Sequence, residues 1–86
     1  MIGRIGRKGR QYLLVFSRED SQRLMHLNGK QVVIIIDCMV IIRRISVDRH
    51  YKPPRLVVSL PSSLRLVWEE LGRASFEIQL NAILIQ

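Results

Sequence analysis

The sequence predicts one small, mostly β domain with two short helices. Nearly half of the 86 residues are apolar (48%), and valine, isoleucine and leucine supply most of them, as in a core packed from strands. Several apolar runs have the length of a strand and are bounded by turn-forming residues, whereas two segments repeat apolar residues at helical spacing. A chain of this length supports a single core, so residues 1–86 are expected to form one domain.

The first eleven residues, MIGRIGRKGRQ, are predicted to be a basic loop or arm, with or without one short strand around residues 2–5. A glycine at every third position costs too much backbone entropy for a regular element that is stable on its own. The next run, YLLVF at residues 12–16, has the composition of a strand. Ser17 is then a helix N-cap by residue type, and the short helix that follows is expected to end at Asn28 and Gly29.

The centre of the chain predicts a hairpin. Residues 31–36 (QVVIII) and 39–45 (MVIIRRI) are strand formers, and Asp37 with Cys38 interrupts them as a tight turn. Cys38 is the only cysteine, and we expect it to be a small buried side chain and not a reactive thiol. Residues 39–47 can serve as the last strand of the first half of the chain, as the first strand of the second half, or as both.

The second half repeats this order of elements, as a basic loop, a strand, a turn, a helix and two closing strands. They are predicted at residues 50–55 (HYKPPR), 56–60 (LVVSL), 61–63 (PSS), 64–71, and 75–80 followed by 82–86. One face of the helix carries Leu64, Val67, Trp68 and Leu71. Leu64 and Trp68 are therefore expected in the core, and Gly72 is expected to end the helix.

The two halves align as an internal duplication of a strand–helix–strand–strand unit. Residues 13–16 match 57–60, and the single matches are Leu27 with Leu71, Gly29 with Gly72, Lys30 with Arg73, and Ile35 with Ile78. In both halves a helix-ending glycine is followed by a basic residue. We therefore expect one pseudo-repeat at about residues 2–45 and a second at about residues 46–86.

Short motifs in both halves resemble the AbrB and SpoVT type of DNA-binding domain, the swapped-hairpin barrel, and more loosely the cradle-loop barrels that include RIFT and double-psi barrels. In the first half they are GRQYLLVFS, LNGKQVVIII and VIIRR, and in the second RLVVSLP, LR, LG and SFEIQLNAILI. The resemblance implies a small pseudo-twofold barrel of two β-β-α-β(-β) units. Family members usually build the barrel from two chains, whereas this chain carries both units and is expected to close the barrel alone.

The charge of the chain points to an anionic partner. Fourteen lysines and arginines stand against seven acids, giving a net charge of +7, and eleven of the fourteen are arginines, whose forked guanidinium suits phosphate and guanine edges. Seven of the fourteen precede the second strand of a unit. Arg43 and Arg44 are consecutive on a strand, so only one of the two can lie on a shared face. The predicted nucleic-acid-binding residues are Arg4, Arg7, Lys8, Arg10, Arg43, Arg49, Lys52 and Arg55.

No catalytic, metal or cofactor site is predicted. The two histidines, His26 and His50, stand in no recognisable motif, and Glu69 and Glu70 are adjacent on a helix and so point apart. The apolar stretch at residues 32–42 is too short for a membrane helix and contains Asp37. With no apolar leader at the N-terminus, a cytoplasmic protein is expected, associated with the nucleoid if it binds DNA.

The favoured function is binding of duplex DNA by a transcriptional regulator or architectural protein that uses two basic loops. An RNA-binding or ribonucleoprotein-associated module is the alternative, because GRIGRKGR is similar to Arg-Gly segments and Tyr12 and Tyr51 could stack on unpaired bases. A third hypothesis is a protein-interaction module that docks on an acidic partner. An enzyme on a RIFT-like barrel ranks last, and the chain is expected as a monomer or a symmetric homodimer of complete barrels.

Overall fold

The computed structural model describes residues 1–36, 38–74, 77–80 and 82–85, the last four by their backbone alone. The fold is mostly β, as predicted: antiparallel strands form a sheet curled into a half-barrel, with two short helices. The strands are β1 (Ile2–Lys8), β2 (Gln11–Phe16), β3 (Gln31–Ile36), β4 (Met39–Asp48), β5 (Arg55–Ser59), β6 (Ile78–Gln79) and β7 (Ala82–Ile85), and the helices are α1 (Arg18–Arg23) and α2 (Arg65–Ala74). Their order in the sheet is β6-β1-β2-β5-β4-β3-β7.

Strand β1 corrects the prediction of a basic loop or arm at the N-terminus. Six consecutive residues of β1 pair with β2, and this ladder offsets the entropy that the glycines cost. Two of the glycines also allow a close approach of the two strands. A Cβ on Gly3 would lie 3.0 Å from Leu14 Cδ1, and a Cβ on Gly6 would lie 3.1 Å from Val15 Cγ2.

Helix α1 begins at the N-cap that the sequence predicts, where Ser17 Oγ accepts a hydrogen bond from the Asp20 backbone N–H at 3.1 Å. A 3₁₀ turn (Met25–Leu27) follows the helix. Ser21 is fully buried, and its hydroxyl accepts a hydrogen bond from the Leu56 backbone N–H at 2.9 Å. This bond fixes α1 against the start of β5.

Strand β4 serves both halves of the sheet. Its first six residues pair with β3, and its last four, from Ile45 to Asp48, pair with β5. In the β3–β4 hairpin the predicted turn residue Asp37 lies outside the described residues. Cys38 is exposed, which corrects the prediction of a buried side chain: the residue directly precedes β4 in the turn and lies outside the alternation that buries Ile36.

Helix α2 confirms Trp68 as a core residue and corrects the prediction for Leu64. Trp68 is completely buried, and its indole N–H donates a hydrogen bond to the Pro61 carbonyl at 2.8 Å. Leu64 is 38% exposed because it belongs to a 3₁₀ turn (Ser62–Leu64), whose tighter winding moves it off the face that Trp68 occupies. The helix also continues beyond Gly72, its predicted end, to Ala74.

The last residues of the chain pair with strands on both sides of the curled sheet. Strand β6 pairs with β1, β7 pairs with β3, and between them the Leu80 N–H donates to the Met1 carbonyl at 2.8 Å. Within the strand predicted at residues 75–80, the structure has a strand at Ile78–Gln79, and residues 75 and 76 lie outside the described residues.

One apolar cluster joins the strands to both helical segments. Its buried members are Leu14, Phe16, Leu27, Val32, Ile34, Ile36, Ile41, Ile45, Leu56, Val58, Leu60, Trp68, Ile78 and Leu80. In the part of the chain that the structure describes, no helix combines the length and the apolar character needed to span a bilayer.

Candidate nucleic-acid interface

The side of the sheet opposite the core, here called the outer face, carries basic residues from several strands. Along β1, Ile5 packs against the core, so the alternation of a strand places Arg4 and Lys8 on the outer face. Along β2, Leu14 and Phe16 belong to the core, which places Val15 on the same outer face as Arg4. Arg4 and Val15 are cross-strand partners.

The loop between β4 and β5, residues 49–54, lies over this outer face. The Tyr51 ring centroid is 5.3 Å from Arg55 Cζ at the start of β5 and 6.0 Å from Arg4 Cζ on β1, two strands away. Val15 and Val57 lie outside the core cluster and are nevertheless only 1% and 7% exposed. The loop therefore brings its own basic residues to the basic residues of β1.

A cleft of about 310 Å³ opens beside Tyr51 and is flanked by Arg4, Arg18 and Arg55; we call it the arginine cleft. Arg4 and Arg55 are half-buried and Arg18 is exposed. The remaining lining residues are Ile2, Gly3, Val15, Ser17 and Glu77. The lining thus combines three arginines and one glutamate with the apolar residues Ile2 and Val15.

Asp48 anchors the start of the β4–β5 loop. Its Oδ1 lies 2.9 Å from both the backbone N and the Nδ1 of His50. The hydrogen bond from the His50 backbone N–H, then the one from its ring, lower the pKa of Asp48, and the charge of Lys8 contributes in the same direction. Lys8 and Arg49 line a shallow depression beside this anchor, of about 350 Å³. The carboxylate of Asp48 is therefore held by hydrogen bonds from the loop itself.

Arg7 is separated from Arg4 and Lys8 by the alternation of β1, although the sequence groups the three together. Its Nε donates to the Gly9 carbonyl at 2.8 Å, and its Cζ lies 5.4 Å from the Tyr12 ring centroid. The Tyr12 hydroxyl in turn donates to Glu69 Oε1 of α2 at 3.1 Å. Arg7 therefore faces helix α2.

Arg43 and Arg44 make different contacts, as expected for consecutive strand residues. Arg43 is half-buried, and its Nε and Nη2 donate to the carbonyl and the hydroxyl of Ser59, at 2.8 and 2.9 Å. Arg44 is exposed and donates to the Gly29 carbonyl. Arg43 thus ties β4 to the end of β5.

The two basic hairpin ends lie at opposite ends of the β2–β5 ladder. Gln11, next to the β1–β2 turn, donates to the Leu60 carbonyl at 2.8 Å, whereas the β4–β5 loop precedes Arg55 at the other end of β5. Arg10 in the turn is exposed, as are Arg49 and Lys52 in the loop. Of the predicted site residues, the structure brings Arg4, Lys8, Arg49 and Arg55 to the loop and the outer face beneath it.

The described aromatic rings offer little surface for stacking on bases. Phe16 and Trp68 are completely buried. Tyr12 and Tyr51 are half-buried, and each has a guanidinium carbon within 6.0 Å of its ring centroid. The fifth aromatic residue, Phe76, lies outside the described residues.

Sequence reasoning missed Arg18 as a member of the site and Tyr51 as the ring that contacts Arg4 and Arg55. The sequence does place Arg18 directly after the N-cap that follows β2. It does not show that Arg4 of β1 and Arg55 of β5 are its neighbours, because that depends on how the strands pair. Among the described residues no group of three His, Cys, Asp or Glu side chains is placed to hold a metal ion.

The sequence and the fold can both be compared with those of known proteins. Comparison with protein-family models, with curated proteins and with solved structures finds no match to this chain. The likeness to the AbrB and SpoVT type of domain therefore remains a prediction from sequence motifs.

Proposed function

We propose that this protein binds nucleic acid, with duplex DNA as the favoured ligand, through the outer face of β1, β2 and β5 and the loop at residues 49–54. The observation that carries the proposal is the convergence of Arg4, Lys8, Arg18, Arg49 and Arg55 on that face. Asp48, the acid next to Lys8, is already hydrogen-bonded to His50. Guanidinium and ammonium groups on one face are the usual contacts to backbone phosphates.

The proposal includes a pseudo-twofold relation between the two halves, with its axis through the Leu14–Val58 pair of the β2–β5 ladder. In support, the strand order from this ladder outward is β2-β1-β6 on one side and β5-β4-β3 on the other. The registers agree as well, because Ile5 stands opposite Leu14 as Ile45 stands opposite Val58. Each half then supplies a strand, a strand, a helix and a strand, and the two halves close one barrel.

These registers revise one match of the sequence alignment. Gly3 stands opposite Ile78 and Arg43 stands opposite Val32. If Gly3 and Arg43 are equivalent positions in the two halves, then the residue equivalent to Ile78 is Val32 and not Ile35, as the sequence alignment had it. Burial supports the revision, since Val32 and Ile78 are 0% and 6% exposed and both belong to the core.

The same relation makes Arg44 the equivalent of Arg4. Arg4 lies one residue before Ile5 on β1, and Arg44 lies one residue before Ile45 on β4. A pseudo-twofold basic surface suits duplex DNA, whose two backbones are themselves related by an approximate dyad. Single-stranded nucleic acid has less support, because its binding relies on exposed aromatic rings that the described residues do not present.

The first experiment compares binding to duplex DNA, single-stranded DNA and structured RNA at the same salt concentrations. We expect the tightest binding to duplex DNA, with log affinity falling linearly against log salt. Binding to none of the three would overturn the proposal, and a clear preference for RNA would replace DNA as its ligand.

A pair of charge-matched variants locates the binding face. Lys8→Gln with Arg49→Gln removes two positive charges from the outer face, and Arg65→Gln with Arg73→Gln removes two from α2. Because each phosphate contact contributes about 0.9 to the salt slope, we expect the first variant to flatten the slope by about 1.8. The α2 variant should keep the slope of the unmodified protein. If the two variants flatten the salt slope equally, binding depends on the net charge of the protein and not on the outer face.

A further inference from the structure

The arginine cleft differs from the rest of the outer face because it is a concave site with oriented donors. Arg4 belongs to β1, Arg55 to β5 and Arg18 to the start of α1, so three elements must be folded for these arginines to line one cleft. Tyr51 lies within 6.0 Å of two of them. Contact with an aromatic ring restricts the rotamers of an arginine side chain, which lowers the entropy lost on binding.

Charges near the cleft leave it electropositive. Glu19, directly after Arg18, is exposed and does not line the cleft. The Oδ2 of Asp20, the next acid, already accepts hydrogen bonds from the Ile2 N–H and the Ser17 hydroxyl, while Oδ1 accepts one from Arg23. Arg18 and Arg55 form no ion pair among the described residues. Glu77 is the single carboxylate in the lining, against three guanidinium groups.

We infer that the arginine cleft is a subsite for one phosphate group. Guanidinium groups bind phosphate oxygens in a forked geometry, and three of them around one concave site can contact several oxygens of the same group. The volume of about 310 Å³ leaves space for the sugar that carries the phosphate. This inference rests on the proposed function in that the phosphate belongs to a bound nucleic acid, which the cleft would hold in a fixed register on the outer face.

Inorganic phosphate is the probe that tests the cleft independently of nucleic acid. We expect titration of phosphate into the full chain, with chloride at matched ionic strength as the reference, to shift the NMR signals of the Arg18 and Arg55 guanidinium groups and of the Val15 amide. Arg18→Gln and Arg55→Gln should each weaken phosphate binding about tenfold or more, as expected for the loss of a charge-assisted hydrogen bond. The matched control Arg65→Gln removes one exposed charge from α2, outside the lining of the cleft, and should leave phosphate binding unchanged.

Two results would overturn the inference of a phosphate subsite: NMR shifts with phosphate no larger than those with chloride, or equal weakening of phosphate binding by Arg18→Gln and Arg65→Gln. Both would leave the proposed function standing if duplex DNA still binds with the expected salt slope. Phosphate binding in the cleft by a protein that binds no nucleic acid would support the subsite and reject the function. A comparison of a 5′-phosphorylated duplex with a 5′-hydroxyl duplex then distinguishes a terminal phosphate from an internal one.

Discussion

At the scale of single residues, Trp68 makes the largest identifiable contribution to the core. It is completely buried, and its indole N–H is hydrogen-bonded to Pro61. We expect Trp68→Ala to lower the free energy of unfolding by about 3–5 kcal/mol, because it leaves a cavity and removes the hydrogen bond from the indole N–H to the Pro61 carbonyl. Denaturant unfolding measures the change, with Leu66→Ala as the control, since Leu66 is on the same helix and 71% exposed. A near-native stability of Trp68→Ala would contradict the role assigned to this side chain.

Asp20 gives the stability of the protein a dependence on pH. Burial of its carboxylate acts to raise its pKa, but hydrogen bonds from Arg23, the Ile2 N–H and the Ser17 hydroxyl outweigh that effect and hold the pKa below its ordinary value. A carboxylate with a lowered folded pKa stabilises the protein above its unfolded pKa of about 3.9, and this stabilisation is lost as the pH falls through the folded pKa.

The Asp20→Asn variant tests this effect. We expect it to lower the free energy of unfolding by about 1 kcal/mol at neutral pH, the usual size for such hydrogen bonds, and by much less in acid below the folded pKa. Unfolding curves across that range measure the difference, with Glu19→Gln, an exposed neighbour, as the control. The same deficit at both ends of the range would rule out the carboxylate charge as the cause.

Local sequence signals predict the role of a residue correctly where its own segment determines its environment. The Ser17 N-cap follows from residue type and spacing, and the burial of Trp68 follows from helical periodicity. Leu64 and Cys38 lie where a regular element meets a turn, and there a change in winding or the end of a strand decides exposure. A periodic pattern carries no information on that change, so both residues are exposed where the sequence predicted burial.

At the scale of elements, long-range pairing explains what the sequence did not predict. Strand β1 has too many glycines for a strand by propensity, yet β2 on one side and β6 on the other pair with it. The position of the β4–β5 loop depends on Tyr51 reaching Arg4, more than forty residues away along the chain. The sequence therefore predicts that Arg4, Lys8, Arg49 and Arg55 are binding residues, but it does not show which strand pairing and loop position bring them to one surface.

Two glycine substitutions should change stability in opposite directions. A Cβ on Gly3 would lie 3.0 Å from Leu14 Cδ1 and 3.2 Å from the Val15 carbonyl oxygen, so Gly3→Ala is expected to lower the free energy of unfolding by about 1–3 kcal/mol. A Cβ on Gly72 would lie 3.6 Å from Ile5 Cβ, an ordinary contact distance, and Gly72 lies inside α2. Gly72→Ala should therefore raise the free energy of unfolding by about 0.5–1 kcal/mol. Thermal unfolding of the two variants measures both signs, and stabilisation by Gly3→Ala would show that β1 does not approach β2 as described.

At the scale of the whole molecule, the C-terminal segment joins strands that are distant in the sheet. Strand β6 pairs with β1 and β7 pairs with β3, so the two ends of the curled sheet are covered by one piece of the same chain. Leu80, between these strands, is 2% exposed and belongs to the core cluster. Covered edges reduce the tendency of a sheet to recruit strands from other molecules.

This chain should therefore fold without a partner molecule. If one chain supplies both units of the barrel, sedimentation at micromolar concentration will show a monomer or a symmetric dimer of folded chains. Where the monomer predominates, its unfolding midpoint will not change with protein concentration. Leu80→Ala should lower the free energy of unfolding of the monomer by about 2–5 kcal/mol, and this change should be the same at every protein concentration. Gln79→Ala is the matched control, because Gln79 is its exposed neighbour on β6. A chain that is unfolded as a monomer and folds only when it associates would mean that the barrel is completed by a second molecule.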